Sequence, residues 1–84
     1  MNLLSSNDFK TLREAMLRGE EICLIRILGN ITVNAATYRV QRPPWDVDII
    51  LQIRLEKGNI TYIQNFKSVE EARLQVNSWL ERTY

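Results

Sequence analysis

Between Val47 and Leu55 a large aliphatic residue stands at every second position: Val47, Ile49, Leu51, Ile53 and Leu55. The positions between them are Asp48, Ile50, Gln52 and Arg54. A period of two belongs to an extended strand, whose successive side chains point to opposite faces. A strand greasy on one side constrains everything else in the chain. It needs neighbours along both edges and a cover over its apolar face.

The flanking sequence supplies both. Gly-Asn-Ile-Thr occurs twice, at 29–32 and 58–61, each time between runs rich in β-branched residues. Such pairs mark two-residue hairpin turns. The first turn joins EICLIRIL to ITVNAATYRV, and the second joins the 47–55 strand to ITYIQNF. Pro43-Pro44 cannot donate ladder hydrogen bonds, so the chain breaks there, just before Trp45. Cover comes from the two ends. Ser5-x-x-Asp8 has the form of a capping box, and Phe9, Leu12, Ala15 and Met16 follow at helical spacing up to Arg18-Gly19. This predicts a helix over 6–18. Ser68-x-x-Glu71 is a second capping box, with the stripe Val69, Ala72, Val76, Trp79 and Leu80 behind it.

The expected fold is α+β: a small antiparallel three- to four-stranded sheet flanked by an N-terminal and a C-terminal helix. Its order is α-β-β-β-β-α, or α-β-β-β-α if the second strand breaks near Ala35-Ala36. Both helices are expected on one face of the sheet. The 84 residues, 45% of them hydrophobic and 25% charged, suit a single domain spanning 1–84 rather than a disordered chain.

Composition removes most catalytic chemistry. With no His there is no Ser-His-Asp triad, Cys-His dyad or His-ligated zinc, and one Cys allows no internal disulfide. Cys23 sits in an apolar run without an adjacent base, so a small buried side chain is expected. Asp46 and Asp48, roughly 6–7 Å apart by strand rise, are too few oxygens for a hard cation; pairing with Arg39 or Arg42 is expected instead. The three glycines lie singly at 19, 29 and 58 and make no phosphate loop. No catalytic, cofactor-binding or metal-ligating residue is assigned, and the chain is expected not to be an enzyme. The start MNLLSSNDFK lacks the basic and long apolar regions of a signal peptide, and the longest apolar run is four residues. A cytoplasmic protein without membrane contact is the expectation, with the N-x-T sequons at Asn30 and Asn59 read as turns.

The basic residues Arg39, Arg42, Arg54, Lys57 and Lys67 cluster around Trp45 in sequence, as cations and aromatics do on nucleic-acid surfaces. Residues 38–80 are similar to the plant-type AP2 and integrase-arm DNA-binding pattern, in which three strands lead through a corner into a Ser/Thr-x-Glu-Glu-Ala helix. Tyr38, Arg39, Trp45, Ile53, Arg54, Phe66, Ser68, Glu70, Glu71 and Ala72 carry the likeness. It implies a nucleic-acid-reading sheet. The chain departs from the pattern in Pro43-Pro44, in fewer exposed Arg and Trp, and in an extra helix and strand in front. An α-β-β-β-α order also resembles double-stranded-RNA-binding domains, whose lysine cluster is reduced here to Lys67. Asp46, Asp48, Glu56, Glu70 and Glu71 intermix with the cations, and the net charge is only +1.

Apolar residues on the polar side of the strands say more. Ile50 points away from Val47, Ile49 and Leu51, and Cys23, Ile25 and Ile27 alternate with Ile22, Leu24 and Leu28. A second, partly apolar face containing Ile22 or Cys23, Tyr38, Val40, Ile50 and Ile63 follows, and such faces mark interfaces. The sequence therefore reads as a non-enzymatic binding module, a protein-interaction or regulatory adaptor using the open face or edge of its sheet. The partner is a protein or a second copy in a homodimer, with Tyr38, Val40, Trp45 and Ile50 as anchors and Arg39 and Arg42 at the rim. The alternative is nucleic-acid binding through the five basic residues.

Overall fold

The computed structural model describes residues 3–82. Helix α1 (Ser6–Arg18) is followed by four strands, β1 (Cys23–Leu28), β2 (Ile31–Arg42), β3 (Asp46–Lys57) and β4 (Ile60–Phe66), and by helix α2 (Val69–Arg82). The strands form one antiparallel sheet in the order β1-β2-β3-β4. This is the longer of the two expected orders, because β2 runs unbroken through Ala35-Ala36.

The local signals act as the sequence predicts. Asp8 N–H donates to Ser5 Oγ and Ser5 N–H donates to the Asp8 carboxylate, each at 3.1 Å, closing the capping box of α1. Gly19 ends that helix in the left-handed conformation, φ 69°. Gly29 and Gly58 have φ 61° and 56° while the asparagines after them stay at negative φ, the pattern of type II′ turns. At α2, Glu71 N–H donates to Ser68 Oγ at 3.2 Å. The first strand begins at Cys23 rather than at Glu21, since Ile22 N–H bonds the Thr37 side chain instead of a backbone carbonyl.

Both helices cover the same face. Leu51, Ile53, Leu55, Val33 and Ala35 meet Phe9 and Leu12 of α1 and Val69, Ala72, Val76, Trp79 and Leu80 of α2 in one buried core. Trp79 stacks on Tyr62, with centroids 5.4 Å apart and planes 9° from parallel. Thr37 is the buried polar exception on this face. Its hydroxyl donates to Glu20 O at 2.7 Å and accepts from Ile22 N–H at 2.8 Å, so nothing on it is left unsatisfied.

One ion pair fastens α1 to the outer strand. Arg26 of β1 donates from Nε and Nη2 to the two oxygens of Asp8, at 3.2 and 2.8 Å. Burial pushes the Asp8 carboxyl upward. The Arg26 hydrogen bonds, the Ser5 N–H and the Arg26 charge outweigh that and hold it below the usual value of 3.8.

Candidate functional site

Residues directly opposite one another in an antiparallel ladder point to the same side, so the register assigns every strand residue to a face. On the side away from the helices lie Cys23 opposite Ala36, Ile25 opposite Asn34, Tyr38 opposite Ile50, Val40 opposite Asp48 and Arg42 opposite Asp46. Ile63, opposite Arg54, completes the set on β4. No described element covers this side. Among its residues Tyr38, Val40, Ile25, Ile27 and Ile63 are exposed large hydrophobics.

The middle strands overshoot their neighbours. Pairing with β1 ends at Cys23–Ala36 and pairing with β4 ends at Leu51–Phe66, whereas β2 and β3 continue to Arg42–Asp46. Residues 38–50 thus form a two-stranded arm, closed by Pro43, Pro44 and Trp45, in a molecule 44 Å long and 18 Å thick. Trp45 stands at its tip with 85% of its surface exposed. The arm also alters one sequence expectation. Val47, on the helix-facing side by register, is half exposed, since the helices stop short of it.

Tyr38, Val40, Ile50 and Arg42 therefore share one face, with Trp45 beyond them. Arg39 does not join them. It lies opposite Ile49 on the helix-facing side of the arm, and its backbone N–H donates to Glu21 Oε2 at 3.3 Å. The five cations are divided likewise. Arg42 and Arg54 are on the open face, Lys57 is opposite Ile31 on the other, and Lys67 lies in the connection before α2. Arg42 Nε sits 3.0 Å from Asp48 Oδ2, and Arg54 Nε sits 2.6 Å from Glu56 Oε1. Arg42 and Arg54 are thus compensated at short range.

A correction concerns Cys23, expected to be buried. It is exposed, because β1 is an edge strand and register places Cys23 on the bare face. Its thiol donates to Asn34 Oδ1 at 3.3 Å. Together Cys23, Asn34, Ala36 and Tyr38, with Glu21 at the rim, line an open hollow of about 390 Å³. The methyl group of Ala36 leaves this gap between larger neighbours. Sequence reasoning missed the hollow and also missed Ile25 and Ile27 as members of the open face. Their alternation with Leu24 and Leu28 was legible, but which set faced outward was not.

A second depression, of about 410 Å³, lies between the helices and is lined by Arg13, Met16, Leu17, Ile49, Lys67 and Glu70. The Arg13–Glu70 ion pair bridges it. A hydrogen bond from its own backbone N–H, with the charge and hydrogen bond of Arg13, outweighs the opposing effect of burial and holds the Glu70 carboxyl below its ordinary range. Among the described residues no three of His, Cys, Asp and Glu converge, and no helix is long and apolar enough to cross a membrane. The open face offers apolar contact area, amide hydrogen-bonding groups and locally balanced charge. Comparison with family models, curated proteins and solved structures finds no match to this chain.

Proposed function

We infer that the chain is a protein-binding module whose recognition surface is the bare sheet face together with the protruding arm. One observation carries this reading: Tyr38, Val40 and Ile50 share an uncovered face that ends in an almost fully exposed Trp45. Apolar side chains held in water on a rigid sheet favour contact with another surface, and aromatic anchors concentrate binding energy where they become desolvated. Ion pairing of Arg42 and Arg54 with acidic neighbours favours a protein surface over a phosphate backbone.

Immobilised wild-type chain and a Tyr38→Glu/Ile50→Glu double variant, both checked for folding by circular dichroism, test the reading against extract from the source cells and against the chain itself. A bound protein identified on the wild type and lost from the variant is the expected result. Equal binding by both refutes it. So does tight binding of a DNA or RNA duplex at low salt that collapses as salt rises, the signature of phosphate contacts.

A further inference from the structure

We propose that a second copy of this chain occupies the surface: two arms lie antiparallel, open face to open face, each seating its Trp45 in the other's Ala36 hollow. This rests on the reading above and names its partner.

The argument begins with symmetry. A two-fold interface must be complementary to itself, so a projection at one end of the patch needs a recess at the other. The open face has both. Trp45 projects from the arm tip, and the hollow over Ala36 lies at the arm root. From Ala36 to Arg42 is six strand steps, and Trp45 lies beyond, so projection and recess are separated by about 20–25 Å at ~3.3 Å per residue. Val40 is close to the midpoint. A two-fold axis there sets Val40 against its own copy and Tyr38 against the second copy's Arg42, a cation over an aromatic ring. The hollow of about 390 Å³ is large enough for an indole, and the Asn34 amide oxygen and Glu21 carboxylate at its margin are acceptors for the indole N–H.

Charge agrees with this occupant. With a net charge of +1 per chain, two copies repel one another only weakly. On the face itself Arg42–Asp48 and Arg54–Glu56 are already neutralised within one copy. The strip from Ala36 to the tip is about 20–25 Å long and, being two strands wide, about 10 Å across at ordinary strand spacing. With the indole it offers on the order of 400–500 Å² per copy, below the ~800 Å² per partner of a standard interface and in the range of weak, transient contacts.

Sedimentation equilibrium from low micromolar to about 200 µM tests the clasp, a range that brackets dissociation constants in the micromolar region. The wild type is expected to approach twice 9.9 kDa. Trp45→Ala removes the projection, and Ala36→Leu fills the recess. Each is expected to weaken dimerisation by at least about 30-fold, as loss of a central aromatic anchor does. An equimolar mixture of the two variants keeps one intact contact, so it must recover part of the association that each has lost alone. If circular dichroism shows Ala36→Leu unfolded, Tyr38→Ser, which removes a wall of the hollow, takes its place. A wild type that stays monomeric throughout overturns the clasp, and the Tyr38→Glu/Ile50→Glu comparison then decides separately whether the face binds another protein. A dimer indifferent to Trp45→Ala, or no recovery in the mixture, overturns it equally.

Discussion

Replacing Asp8 with Asn tests how the helical layer is fastened to one side of the sheet. The carboxylate accepts both Arg26 bonds and the Ser5 N–H, joining the start of α1 to the outer strand β1. Asn keeps the shape and one carbonyl oxygen, but it loses the charge and one acceptor. A hydrogen bond to a charged group contributes about 1.5–3 kcal/mol, and the capping-box half adds some tenths. Arg26 is partly exposed, so water recovers a share of this, and a loss of about 1.5–2.5 kcal/mol at pH 7 is expected. The sign with pH follows from the lowered carboxyl. Asp8 contributes stability that is fully present above its unfolded value near 3.8 and is lost as pH falls through its lower folded value. Urea melts of both proteins at pH 7, 4 and 3 read the difference. With a slope of about 1 kcal/mol per molar urea, the midpoints should differ by about 2 M at pH 7 and converge toward pH 3. An equal gap at every pH would refute the charge argument and leave only a shape effect.

Other outcomes are equally specific. Trp45→Ala should change stability by less than about 0.5 kcal/mol when measured at micromolar concentration, whereas Trp79→Ala should cost about 3–5 kcal/mol, since one indole is exposed and the other is packed on Tyr62 and Phe66. Thermal melts of the two variants side by side check this. Thr37→Val should cost about 1–3 kcal/mol in urea melts, because it strands Ile22 N–H and Glu20 C=O while keeping the volume. Gly58→Ala should lower stability by about 1 kcal/mol through its positive φ, although open space surrounds the position; equal stability would show that the turn relaxes to another type.

Much of this fold is written locally. Ser5 and Asp8 start α1, Gly19 stops it, and the two Gly-Asn turns set the registers that place Leu51, Ile53 and Leu55 under the helices. Each signal acts within four residues or through a strict period, so no knowledge of distant contacts is needed to read it. The candidate site is legible only in part, for the opposite reason. That Tyr38, Val40 and Ile50 share a face follows from alternation, but the separation of Arg39 from Arg42 depends on which side the helices take. Cys23 reads as buried because its neighbours in sequence are apolar. Its exposure depends on β1 being an outer strand, which the order of strands in space decides. The Ala36 hollow has no sequence signature at all, since a gap is a property of what surrounds a small residue.

The bare face follows from the placement of both described helices on one side of the sheet. Two helices of 13 and 14 residues, each about 20 Å long, cover one side of a four-stranded sheet and no more. Helix α1 reaches as far as Ile49, and beyond it Val47 and Trp45 at the end of the β2–β3 hairpin are exposed. An isolated two-stranded hairpin is marginal in water. This one is anchored by the sheet at its root, and it leaves Tyr38, Val40 and Val47 partly exposed and Trp45 almost fully so. A chain selected only for stability would shorten such an arm or make it polar, because exposed apolar strands favour unwanted pairing. Four apolar side chains left partly or almost fully exposed on such an arm agree with the contact proposed above. The arm is therefore the place where a change that leaves stability intact should change association most.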